Sequence, residues 1–314
     1  MAPTINTQSA KVDSSKTSRG RLSEFLLRPR MLLLLAIAVS STVVIPLVKQ
    51  SLPDLSQRVE YRFKTSNIEI NSAPHWVPPD LVQQVVDCKA LPQEVSLLET
   101  NLTREIAEAF EIHPWVAEVV CVQKSFPARI QVELQYRRPV AMVQVKQGTY
   151  PIDANGVLLP PADFSVAGMS CYPLILNVPS MPQGPAGTSW GDATVIGAAR
   201  LANVLASTND GVSLWREFGL AAIRVPRRTK ANVNSEELIY DLVTEGGSRI
   251  IWGRTPGTRH PEELSADKKI DRLHKYLTAF DGFDHPHGPY EIDIRHWQEI
   301  TRRPLSLRNS RLLR

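Results

Sequence analysis

Residues 126–141 read FPARIQVELQYRRPVA. Ile130, Val132, Leu134 and Tyr136 point one way and Gln131, Glu133 and Gln135 the other. This is the two-residue period of a half-buried β-strand. Phe126-Pro127-Ala128 supplies a turn before it, and Arg137-Arg138-Pro139 ends it. Nothing in the stretch points to catalysis. A strand of this kind acts through its backbone: at a sheet edge, unpaired N–H and C=O groups capture an extended segment of another protein. Charge and proline at the strand end restrict promiscuous pairing.

Outward from this strand a small domain takes shape over residues 66–160. NIEIN (Asn67–Asn71) alternates as a short strand. VPPDLVQQVVDC places two prolines where a helix begins, with Leu81, Val82, Val85 and Val86 as its apolar stripe. NLTREIAEAFEIH repeats apolar residues at Leu102, Ile106, Ala109 and Phe110, and Pro114 stops that helix. WVAEVVCVQKSF is a further strand, and Asp153-Ala154-Asn155-Gly156 a tight turn. The order strand, helix, helix, strand, strand predicts two helices covering one face of a three-stranded sheet.

Toward the N-terminus, Met31 to Val48 holds no charge over 18 residues, which predicts a transmembrane helix. The run exceeds a signal-peptide core and no A-x-A site follows it. Lys11, Lys16, Arg19, Arg21, Arg28 and Arg30 against Asp13 and Glu24 keep residues 1–30 in the cytoplasm as a disordered tail. Residues 49–65 are a linker, and the bulk of the chain lies outside the inner membrane.

Toward the C-terminus, a Pro/Gly-rich connector leads into a second domain over residues 161–300. Asp192 caps a helix with a stripe through Val195, Ala199, Ala202 and Leu205. GLAAIRVPRR is a strand, and ELIYDLVTEGGSRIIWG a hairpin turning at Gly246-Gly247. SADKKIDRLHKYLTAF is an amphipathic helix with Ile270, Leu273, Leu277 and Phe280 inward, and YEIDIRHW is a last strand. Residues 301–314 form a basic tail.

The whole chain has 314 residues, with 43% hydrophobic and 22% charged, room for about two domains. Its net charge of +4 is too weak to argue for nucleic acid. The three cysteines, Cys88, Cys121 and Cys171, lack metal-ligand spacing. They read as buried small hydrophobes, or as a Cys88–Cys121 bridge if the domain is exported.

The β-α-α-β-β order, the stretch HPWVAEVVCVQKSFPARIQVELQYRRPVA and the trailing IDANGVLL resemble the POTRA domain of the bacterial cell-division family FtsQ/DivIB. Tyr136 stands where the family has a glutamate before its R-x-P end. IIWGR, KKIDRL and IDIR (Ile292–Arg295) resemble, in order, three marks of that family's β domain. Past Arg295 the chain departs from the pattern: His296 takes an aromatic position, and no glycine turn follows.

The resemblance implies an α+β architecture. It consists of an N-terminal transmembrane helix, a POTRA domain, then a mixed α/β domain with a mainly antiparallel sheet. It implies a non-catalytic, single-pass scaffold at the division site, without cofactor or metal. Its partners would be FtsB/FtsL-like bitopic membrane proteins and other divisome components, in control of septal peptidoglycan synthesis. The family's partner edge maps onto Tyr290, Ile292, Ile294, Arg295, His296 and Trp297. A POTRA-bearing chaperone or transport component is the alternative, though such proteins carry several repeats or a β-barrel and one unit is visible here.

Residue chemistry supports neither catalysis nor metal binding. His285 and His287 sit in a Gly/Pro loop without a third ligand. Asp281, Asp284, Glu291 and Asp293 read as a solvated acidic loop and strand face. No nucleophile elbow or phosphate loop is present. Arg137 and Arg138 read as a solvated strand end or a fork for a partner carboxylate, and Trp297 as a core residue or a partner anchor.

Overall fold

The computed structural model describes residues 37, 40, 44, 45, 55, 58–209, 211–226 and 237–305. Met1–Arg58 is one unit and Val59–Arg314 another. In the first, Ile37, Ser40, Val44 and Ile45 are helical. The rest of the predicted span at 31–48, and the tail at 1–30, lie outside the described residues. Among the described residues no helix is long and apolar enough to cross a membrane.

The second unit begins with β1 (Arg62–Lys64), β2 (Glu69–Ile70), α1 (Leu81–Lys89), β3 (Glu94–Ser96), α2 (Leu102–Glu111), β4 (Val116–Ser125) and β5 (Arg129–Tyr136). β1 and β3 pair by themselves; β2, β5 and β4 form a three-stranded sheet in that order. Ile130, Val132 and Leu134 of β5 are buried against Leu81 and Val85 of α1 and Leu102, Ile106 and Phe110 of α2. Each such side chain contributes about 1.5–3 kcal/mol on full burial. The predicted alternation holds, but the predicted edge does not. β5 is central, antiparallel to β4 on one side and parallel to β2 on the other.

β6 (Pro139–Val145), β7 (Gly148–Asp153), α3 (Val166–Met169), β8 (Leu174–Leu176), α4 (Ala193–Leu205), β9 (Thr208–Asn209), β10 (Val212–Ser213) and α5 (Leu214–Glu217) follow. Then come β11 (Leu220–Arg224), β12 (Tyr240–Thr244), β13 (Arg249–Gly253), α6 (Ala266–Phe280), β14 (Tyr290–Asp293) and β15 (Thr301–Pro304). Among the described residues β9 and β10 pair with each other, and the other eight of these strands form a sheet ordered β15-β14-β13-β12-β11-β8-β6-β7. It is mixed: β6–β8, β8–β11 and β13–β14 run parallel, and the other four pairs antiparallel, as expected. α4 and α6 share a core with it. Asp192 caps α4 by accepting from the Thr194 N–H, as its sequence predicts. In α6 Lys269, Leu273 and Tyr276 are buried, and Ile270 and Leu277 pack half-buried against the core as expected, whereas Phe280 is exposed.

Pro139 opens β6 rather than only closing β5, a first-strand position where its missing N–H is tolerated. Residues 139–153 therefore belong to the large sheet, not to the small one. The joint is stitched by side chains. Arg137 pairs with Asp153 at 2.9 Å, and the Trp115 indole N–H donates to Asp163 at 2.7 Å. The Asp153 carboxylate also accepts from the Asn155 and Val157 N–H groups, closing the D-x-x-G turn. A side chain at Gly156 would press on Ile196 of α4, and its φ is +73°, so that turn requires glycine. All three cysteines are free; Cys88 and Cys171 are exposed and Cys121 half-buried, so neither the bridge nor the buried-thiol reading holds.

Candidate functional site

The three marks on the second domain meet at one place. Gly253 ends β13 at φ +102°, and a side chain there would come within 2.6 Å of the Glu263 carboxylate and 3.1 Å of the Lys269 ammonium. Glu263 binds the Lys269 ammonium and accepts from the Arg254 N–H at 2.9 Å and its guanidinium at 3.2 Å. Lys269 lies 4.9 Å from the centre of the Trp252 ring. Burial pushes the Glu263 carboxyl upward, but these hydrogen bonds outweigh it and hold the group below its ordinary range. Burial pulls Lys269 below the ordinary lysine range. One carboxylate held by two cations is fully engaged, with one positive charge left over, so the cluster braces the fold. The adjoining cavity, about 250 Å³, is smaller than the usual ligand pocket. Among the described residues no group of three or more His, Cys, Asp and Glu is placed to hold a metal.

Beyond this cluster lies the end of the sheet. Tyr290 and Ile292 sit in β14 with β13 on one side and β15 on the other, and Ile292 and Ile294 are fully buried. The rim predicted along Tyr290–Trp297 is therefore covered over Tyr290–Asp293 by a further strand of the chain, β15. The residues 301–304 that read as a basic tail form that strand; 306–314 lie outside the described residues. Arg295 turns back onto Asp293, with Nε–Oδ1 at 3.0 Å and Nη2–Oδ2 at 2.7 Å. Burial pushes the Asp293 carboxyl up, but this fork overrides it and holds the group below the usual carboxylate range. His296 is exposed, its Nε2 3.7 Å from Asp293. Trp297 is 60% exposed, with the Lys268 ammonium 4.7 Å from its ring centre. Of the six predicted residues, His296 and Trp297 remain at the surface.

Among the described residues β15, which sequence reasoning left as tail, is the outermost strand at this end of the sheet. Its orientation follows from one bond. The Leu305 N–H donates to Pro289 at 2.9 Å, so in the antiparallel ladder Leu305, Arg303 and Thr301 turn their polar groups toward β14. Arg302 then presents its N–H and C=O outward, and Pro304 its C=O. The Arg302 guanidinium stacks 3.5 Å from the Tyr290 ring centre and donates to the His285 carbonyl at 2.6 Å. Arg272 of α6 donates to the Trp297 and Glu299 carbonyls, holding the connector.

No family model matches the chain. Over 180 residues it is 28% identical to a protein named Cell division protein FtsQ from Anaeromyxobacter sp. (strain K), covering 57% of this chain and 52% of that protein. The chain is thus similar to that FtsQ protein over those 180 residues. It spans about half the length of that curated relative. In this chain the marks that carry the resemblance are bracing elements: the D-x-x-G turn, Gly253, Lys269 and the Asp293–Arg295 fork all fix backbone or support β13 and β14.

Proposed function

We propose that this FtsQ-like chain is a non-catalytic, single-pass membrane scaffold of the bacterial division machinery. Residues 31–48 anchor it, with the N-terminus cytoplasmic. An extended segment of an FtsB/FtsL-like bitopic partner adds to the outer edge of β15, and other divisome components join. Through them the scaffold couples divisome assembly to septal peptidoglycan synthesis. The observation that supports this most is the outward-facing backbone of Arg302 and Pro304 on a strand that is terminal among the described residues. Backbone ladders give such capture its affinity, and neighbouring side chains its selectivity.

The test is Arg302→Pro beside Arg302→Ala in the full chain. Both lose the guanidinium, but only proline removes the outward N–H. Capture of small bitopic coiled-coil proteins should fall at least tenfold with proline relative to alanine, while a tagged chain should gather at midcell. Equal capture by both variants, or an even distribution around the envelope, would refute the proposal. Ile294→Pro would instead damage a buried residue.

A further inference from the structure

We infer that the turn at Val59–Tyr61 and the tip at Phe126 form a foot that dips into the lipid interface of the membrane anchoring the chain. This rests on the anchor reading above. Among the described large apolar side chains only Val166, at 88%, is more exposed than Val59 at 85%, and Phe126 follows at 69%. Single exposed apolar residues are ordinary on a soluble surface; these two are neighbours. The Tyr61 and Phe126 rings lie 5.9 Å apart, and the Ala128 N–H donates to the Glu60 carbonyl at 3.3 Å. The β4–β5 turn is thus fastened to the segment where the domain begins.

The occupant follows from the tether. Ten residues, 49–58, separate the apolar run from Val59, and an extended chain of that length reaches at most about 36 Å. The exposed apolar pair therefore lies at the end of the domain leashed to the bilayer, where a short leash raises its effective concentration at the lipid surface. Aromatic side chains favour the headgroup level. Arg62 pairs with Glu94, exposed Glu60 offsets exposed Arg129, and exposed Arg58 adds one positive charge, so shallow apolar insertion supplies the contact with Arg58 at the headgroup level.

The test uses the full chain with Cys88, Cys121 and Cys171 changed to serine, reconstituted in phosphatidylethanolamine/phosphatidylglycerol vesicles. Single nitroxide labels at Phe126→Cys, Val166→Cys and Ser40→Cys are compared for relaxation by oxygen and by a water-soluble nickel complex. The label at 40 should report bilayer depth, that at 126 headgroup depth, and that at 166 bulk water. A label at 126 as open to nickel as that at 166, with 40 still deep, overturns the foot and leaves the anchor standing. An immobilised but nickel-accessible label at 126 means a protein contact and also overturns it. A label at 40 in water overturns the anchor, and the foot with it.

Discussion

Lys269 and Glu263 form an ion pair inside the large domain, their side chains 2% and 7% exposed. Removing one member of such a pair leaves a charge that water cannot reach, at a cost of about 3–5 kcal/mol. The two deletions are not equivalent. Lys269→Met leaves Glu263 with its two bonds from Arg254, whereas Glu263→Met strands both Lys269 and Arg254. Glu263→Met should therefore be the more destabilising, as read from urea unfolding midpoints of the two variants in detergent. The reverse order would mean that Arg254 does not support the carboxylate.

Acid should weaken the fold through the same carboxylate. Glu263 and Asp293 both sit below their ordinary ranges because hydrogen bonds from Lys269 and Arg295 overcome burial. A group whose folded-state value is depressed contributes stability above its unfolded value and loses it as pH falls through the folded one. The loss belongs below about pH 4. Asp241 runs the other way, because burial raises it despite Arg249, so protonation there partly offsets the loss. Glu263→Gln and Asp293→Asn should each flatten the acid limb of stability against pH, and Asp241→Asn should steepen it. Parallel curves for all the variants would contradict the assignment.

How much of this was legible in the residues differs by element. β5 announced itself because one face packs on helices and the other meets water. β6 did not: Pro139 to Val143 are all buried, between β7 and β8, and a strand covered on both faces has no alternation to read. β15 failed in the opposite sense. Its residues are half-buried or exposed, so TRRP carries no apolar pattern and exists as a strand only because β14 offers a ladder. Lys268 and Lys269 are chemically identical neighbours, one facing Trp297 and one buried. Lys269 stands four residues before Leu273 and Tyr276 three after it, and that spacing was the available signal. The end of the sheet was read one strand too early, at Tyr290–Trp297, for the same reason β15 was missed.

Gly253 should tolerate no side chain. Its φ of +102° disfavours any other residue, and an added Cβ would meet Glu263 and Lys269. Backbone strain alone is worth about 1–3 kcal/mol, and crowding the ion pair adds about 1–3 kcal/mol more. Gly253→Ala should lower the unfolding midpoint, whereas Gly257→Ala, with open space around its Cβ, should show only the strain. Similar losses at both positions would place the crowding elsewhere.

Asn71 extends the short strand β2 with its side chain. Its Nδ2 donates to the Leu134 carbonyl at 2.9 Å, and the Leu134 N–H donates to its Oδ1 at 2.9 Å. The carboxamide thus stands in for a further strand residue along β5, while the Tyr136 hydroxyl donates to the Asn71 carbonyl at 3.0 Å. Asn71→Ala leaves the Leu134 N–H and C=O unpaired at a cost of about 1–3 kcal/mol. Asn71→Asp keeps the acceptor but sets a carboxylate oxygen against the Leu134 carbonyl, so near neutral pH it should be no better than alanine. Below about pH 4 the carboxyl protonates and regains a donor. The difference in urea midpoint between the Asp and Ala variants should then turn in favour of Asp, with slower hydrogen exchange at the Leu134 amide. If aspartate matches asparagine at neutral pH, the carbonyl bond contributes nothing and β2 is held by its backbone alone.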